Sequence, residues 1–160
     1  MRTPDARFVL SHPAHFIALS GGIGLIPFAP GTFGTLLALP IFWLVAPRID
    51  PVLYLAGVGL LFALGIWACS VTGRALGAAD HGSMVWDETV AFLLVLFFTP
   101  VYSYWQAFAF LLFRFFDIAK PQPIRYYERT FKGGLGVMID DLAAAFYTLL
   151  VLAFARAVVN

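Results

Sequence analysis

GVMIDDLAAAFYTLLVLAFARAVV, running from Gly136 to Val159, is long and apolar enough to be a membrane-spanning helix. It opens on two adjacent aspartates, Asp140 and Asp141, and holds one other charge, Arg156. One ionised carboxylate within a bilayer costs at least ~2.5–3.5 kcal/mol, and a neighbouring like charge adds to that. A cation against the pair, most simply a metal ion, offsets such a cost. The stretch therefore predicts both a membrane fold and a functional centre at one end of a helix.

The rest of the chain agrees with the first half of that reading. Its 160 residues are 61% hydrophobic and 12% charged, with a mean hydropathy of +0.87. Soluble domains are about half apolar and a quarter charged. We expect an all-α polytopic helical bundle, a single domain over residues 1–160. About five spans are expected: Phe33–Ala46, Val52–Gly73, Thr89–Tyr102, Tyr104–Phe116 and the Asp140 helix. His15–Ala29 is apolar but glycine-rich and reads as a surface or re-entrant segment. No cleaved signal is expected, because MRTPDARFVL lacks the basic start and apolar core of one. The net charge of +1 offers no overall attraction to nucleic acid, and none is expected as a partner. The single cysteine, Cys69, excludes an internal disulfide.

Threading five spans with the N-terminus in the cytoplasm puts Arg2, Arg7, Arg74, Arg114, Lys120, Arg125, Arg129 and Lys132 inside, and Arg48 and Arg156 outside. That is the orientation the positive-inside rule favours. The same threading brings four polar stretches to one face. PGTFGT, from Pro30 to Thr35, opens a helix, where backbone N–H groups and the hydroxyls of Thr32 and Thr35 form an anion seat; helix capping explains the same residues. DHGSMVWDE, from Asp80 to Glu88, carries Asp87 and Glu88 at the head of a helix with His81 nearby. Adjacent helical positions differ by about 100°, so one acid is expected on a metal and the other on a water or an arginine. Asp80 reads as a solvated loop acid. In RFFDIAKPQPIR, Arg114, Asp117 and Lys120 fall on one helical stripe and the prolines stiffen the turn before Arg125. Last, KGGLGVMIDD joins a glycine-rich approach to the paired acids.

Asp87, Glu88, Asp117, Asp140 and Asp141 are hard oxygen ligands, and Arg114, Lys120 and Arg125 bind anions. With one cysteine and three histidines, soft-ligand metals are disfavoured and carboxylate chemistry points to Mg²⁺. A dication beside arginine and lysine at a bilayer surface predicts phosphoryl chemistry on a lipid. Intramembrane acids also mark cation or proton transport. A transporter, however, needs polar groups through the depth of the bilayer, and here the helix midsections are apolar.

At these motifs the chain resembles the bacterial phosphatidylglycerophosphatase A family, over Gly21 to Ala145. The likeness rests on G-x-G-L-x-P-x-A-P-G-T-x-G-T (Gly22–Thr35), H-G-S-x-V-W-D-E (His81–Glu88), F-R-x-x-D-x-x-K-P-x-P-I-R (Phe113–Arg125) and G-G-x-G-x-M-x-D-D (Gly133–Asp141). One departure is Ala91-Phe92, where the family often has glycine. The resemblance implies an inner-membrane, Mg²⁺-dependent phosphatase that acts on phosphatidylglycerol phosphate. Its site is expected to face the cytoplasm. The phosphohistidine lipid phosphatase, haloacid-dehalogenase and CDP-alcohol phosphotransferase motifs are absent. Within this reading Asp87, Asp140 and Asp141 are expected on the metal, with Glu88 or Asp117 completing the shell or orienting water. Thr32, Thr35, Arg114, Lys120 and Arg125 are expected on phosphate, and His81 or a metal-bound water as proton donor to the leaving alcohol.

Overall fold

Helix boundaries in this chain are written largely in caps and prolines. Asp5 opens α1 (Ala6–Ser11) by accepting a 2.8 Å hydrogen bond from the Phe8 amide. Asp50 does the same for α4 (Pro51–Leu76), accepting from Val52 N at 2.8 Å, with Pro51 pre-set for the first turn. A computed structural model describes residues 3–122, 126 and 130–159. It adds α2 (Pro13–Ala18), α3 (Pro30–Val45), α5 (Trp86–Phe98), α6 (Ser103–Ala119) and α7 (Gly133–Val159), with short 3₁₀ turns at Ser20–Leu25 and Ala46–Arg48. No strand occurs among the described residues. The protein is an all-α membrane protein.

Three segments among the described residues are long and apolar enough to cross a membrane: Pro30–Arg48, Pro51–Leu76 and Gly133–Val159. The other two expected spans are helices too, but shorter. α6 has 17 residues, and α5 has 13, about 20 Å against the ~30 Å of hydrocarbon. Their shortness has different settings. Most of α5 is buried, including Val90, Phe92, Val95 and Leu96, so its sides meet protein instead of lipid. The segment expected at the surface is broken into six-residue pieces, with Gly21 and Gly22 at positive φ inside the second.

α7 packs against α4, α5 and α6, while α3 packs along α5. Contacts at the helix ends fix the relative directions. Thr89 Oγ1 near the start of α5 donates to Gly34 O near the start of α3, at 2.8 Å. The Gly134 amide at the head of α7 donates to Ser70 Oγ towards the end of α4, at 3.1 Å. Lys120, just past α6, pairs with Asp140 in α7. The helices therefore alternate in direction, and the starts of α3, α5 and α7 meet the ends of α4 and α6. That end of the bundle collects the polar motifs.

Candidate active site

Three carboxylates converge there. Asp87 and Glu88 in the first turn of α5 and Asp141 in α7 each present an oxygen, and the three oxygens lie within 4.8 Å of one another. Asp141 sits eight residues into α7, about 12 Å along its axis from Gly133. Asp87 and Asp141 are 6% and 3% exposed. Asp87 Oδ1, Glu88 Oε2 and Asp141 Oδ2 are buried without a hydrogen-bond partner in the structure. Buried acceptors are almost always satisfied, and three orphaned carboxylate oxygens in one place form a candidate seat for a cation.

The basic residues stand beside this cluster and do not neutralise it. Arg114 Nη1 contacts Asp117 Oδ2 at 2.5 Å and Glu88 Oε1 at 3.7 Å. Its Nε is buried with no acceptor. Lys120, held in a left-handed conformation at the end of α6, reaches Asp140 Oδ2 at 2.5 Å. Among these seven groups, five carboxylates face two cations, a formal excess of three negative charges when all are ionised. A hard dication held by Asp87, Glu88 and Asp141 fits this donor set, which is all oxygen.

The two adjacent acid pairs behave differently. Asp140 and Asp141 diverge around α7, one towards Lys120 and the other towards α5. Asp87 and Glu88 both reach the cluster, contrary to the expectation that neighbours must point apart; the extra methylene of Glu88 lets it bend back over the first turn. Glu88 thus meets both the cluster and Arg114. Asp117 is engaged by Arg114 and comes within hydrogen-bonding reach of Asp141.

Glycine makes this crowding possible at Gly31, in the first turn of α3. A methyl group there would collide with Glu88 Oε1 and stand 3.3 Å from Arg114 Nη1. The PGTFGT turn therefore closes over the site. Thr32 is half-buried in that turn. The Thr35 hydroxyl donates to Gly31 O at 2.9 Å, so its one proton is spent inside the helix. His81 lies on the turn before α5, its Nδ1 accepting from Ser83 N at 3.2 Å; a neutral ring then carries its proton on Nε2. Arg125 lies outside the described residues.

Two neighbours of the site stand outside the expected site residues: Asp80, read as a solvated loop acid, and Ser70. Asp80 is exposed and lines a cavity of about 210 Å³ with Lys132 and Asp140. Its charge reaches Asp117 and Asp141. Ser70 anchors the head of α7. A lone serine in an apolar helix and an acid next to His81 were the available signals.

A family model described as Phosphatidylglycerophosphatase A matches residues 16–156. The chain belongs to the phosphatidylglycerophosphatase A family. Relatives in two organisms carry the family name. The Haemophilus influenzae Rd protein is 42% identical over 149 residues, 92% of this chain and 91% of its own length. The Escherichia coli K12 protein is 40% identical over 140 residues, 87% of this chain and 81% of its own length. A Bacteroides thetaiotaomicron protein, provisionally named a phosphatidylinositol-3-phosphatase, is 40% identical over 147 residues, 87% of this chain and 91% of that protein. No solved structure matches the chain. In this member of the phosphatidylglycerophosphatase A family, the described residues of all four polar motifs gather at one end of the bundle.

Proposed function

We propose that the protein, acting as a single domain in the bacterial inner membrane, hydrolyses the terminal phosphomonoester of phosphatidylglycerol phosphate at the cytoplasmic face, releasing phosphatidylglycerol and inorganic phosphate. The observation that carries this reading is the buried Asp87–Glu88–Asp141 cluster with unpartnered oxygens, flanked by two cations. Family membership supplies the reaction class.

The ion would be Mg²⁺ held by Asp87, Glu88 and Asp141; when bound it supplies positive charge against the phosphate and makes water a stronger nucleophile. The protein's own groups do the rest. Arg114 has a buried N–H without an acceptor, ready for a phosphate oxygen, and Lys120 offers a point charge on the other side of the cluster. Both are held in place by acids, Asp117 and Asp140. These pairings keep the cations poised until an anion competes for them, so charge spreading over the phosphoryl oxygens meets donors already in position. Asp117, beside Asp141 and the Arg114 pair, suits orientation of the attacking water. His81 Nε2–H suits proton donation to the departing glycerol oxygen.

Phosphate release from a panel of lipid phosphates, with and without Mg²⁺, tests the proposal. Selective, Mg²⁺-dependent turnover of phosphatidylglycerol phosphate is expected; equal turnover of every lipid phosphate, or of none, overturns it. A second reading, a phosphatase for a different lipid phosphate, is favoured by the name of the Bacteroides relative, and a phosphoinositide in the same panel decides between them. Ion transport is opposed by the placement of the acids at one end of the helices.

A further inference from the structure

Beneath Asp87 the structure holds an apolar cavity of about 270 Å³ between α4, α5 and α7. Asp87 is its one charged lining residue. From there it runs along α5 to Leu94, seven residues on and about 10 Å further from the charged end of the bundle. Met138 forms part of its wall, and Leu55 and Leu142 stand on its flanks, each 36% exposed. Its open side lies between these two leucines, on α4 and α7, two helices long and apolar enough to cross a membrane.

A glycine keeps the mouth of the cavity clear. Gly59 in α4 lines the cavity, and a Cβ added there would meet nothing within 4 Å. The volume falls just under the ~300–1,000 Å³ of pockets that enclose a whole small molecule, so it suits one segment of a ligand. That segment must be apolar, because Asp87 is the sole acid and no cation lines the wall. It must also be continuous with whatever Asp87 binds, since Asp87 is more than nine-tenths buried with Oδ1 unpartnered.

Resting on the proposed lipid phosphatase reaction, we infer that this cavity is the acyl-chain subsite of the substrate. The headgroup lies at the carboxylate cluster while one acyl chain descends between α4 and α7. The orientation matches a lipid in the leaflet, with the polar end at the charged face and the chain pointing to the bilayer centre. Such a groove gives a membrane enzyme a way to recognise its substrate as a lipid, and it spends apolar contact on positioning the headgroup.

The test fills the groove. Gly59→Leu adds a side chain where the structure has space, and replacing glycine within a helix removes a backbone penalty of about 1 kcal/mol, so the variant should fold. Gly57→Leu is the control: it makes the same change on the same helix, its Cβ also meets nothing within 4 Å, and it does not line the cavity. Each protein is assayed in mixed micelles with dioleoyl and dibutyryl phosphatidylglycerol phosphate. Gly59→Leu should lower kcat/KM for the dioleoyl substrate about tenfold, the effect of about two lost buried methylenes, mainly through KM. It should leave the dibutyryl substrate within about twofold, and Gly57→Leu should change neither. Equal losses on both substrates, or no loss on the dioleoyl one, overturn the inference. Calorimetric binding of the uncleavable long-chain phosphonate separates the groove from the reaction. If wild type turned over neither ester, the proposed reaction would fall. The groove would then stand if Gly59→Leu alone weakened phosphonate binding, and fall if all three proteins bound it equally.

Discussion

Gly31 is the residue whose change separates chemistry from folding most cleanly. The atom its missing Cβ would strike is the far end of a flexible side chain, Glu88 Oε1. Gly31→Ala should therefore leave the thermal midpoint within a few degrees while displacing Glu88 from the cluster. We expect apparent Mg²⁺ affinity for turnover to weaken about tenfold, ~1.4 kcal/mol; a normal Mg²⁺ titration would detach Glu88 from the ion. The paired aspartates are predicted to part company too. Asp87→Asn and Asp141→Asn remove cluster oxygens and should cost more than the about 10–100-fold typical of outer partners of a metal ligand, with weaker Mg²⁺ binding. Asp140→Asn releases Lys120, and should raise KM while sparing Mg²⁺ affinity; steady-state kinetics at limiting and saturating Mg²⁺ distinguish the two patterns. Asp5→Asn and Asp50→Asn should change little, because asparagine caps a helix as well as aspartate does. Much at this scale was legible: charge inside an apolar run is conspicuous, and Asp87, Glu88 and Asp141 stood out at once. Which acid of each pair faces the cluster was not legible. That depends on the rotation of α7 against α5 and on the reach of one extra methylene, neither of which residue spacing records.

At the scale of the helix, hydropathy located the five long elements but misplaced their ends. A run of apolar residues stops at a charge, while the backbone does not. The apolar span of α5 was read from Thr89, whereas the helix starts at Trp86 and has both acids in its first turn, as their place at a helix head implied, where the helix dipole favours them. α7 was read from Gly136 and starts at Gly133, because its head is held by Ser70 and not by apolar contact. That head is also where helix packing is tightest. A methyl group on Gly134 would strike Ile66 O and would come within 2.6 Å of Ser70 N, both backbone atoms. Gly134→Ala should thus force α7 from α4 and lower stability by about 1–3 kcal/mol. The loss should show as a reduced thermal midpoint in detergent. An unchanged midpoint would mean that the α4–α7 contact yields without strain. Set against Gly31→Ala, the same chemical change is expected to damage the site in one helix and the fold in the other.

For the whole molecule, the alternating helices predict which loops share a compartment. In a Cys69→Ala background, Gly82→Cys should be labelled by an impermeant thiol reagent from the cytoplasmic side. Ile49→Cys and Val101→Cys, in the opposite loops, should be labelled from the other. Labelling of all three from one side would dismantle the threading and the placement of the site with it. The same architecture constrains how the enzyme comes into being. Synthesis delivers Asp87, Glu88 and Arg114 well before α7, the helix that contributes Asp141 and touches α4, α5 and α6. Until α7 arrives, α5 is a 13-residue helix with two acids and no partner on that flank, too short to be recognised by the insertion machinery as a span in its own right. The nascent chain therefore holds an incomplete site, and the Asp87–Glu88–Asp141 cluster can close only after α7 has left the ribosome.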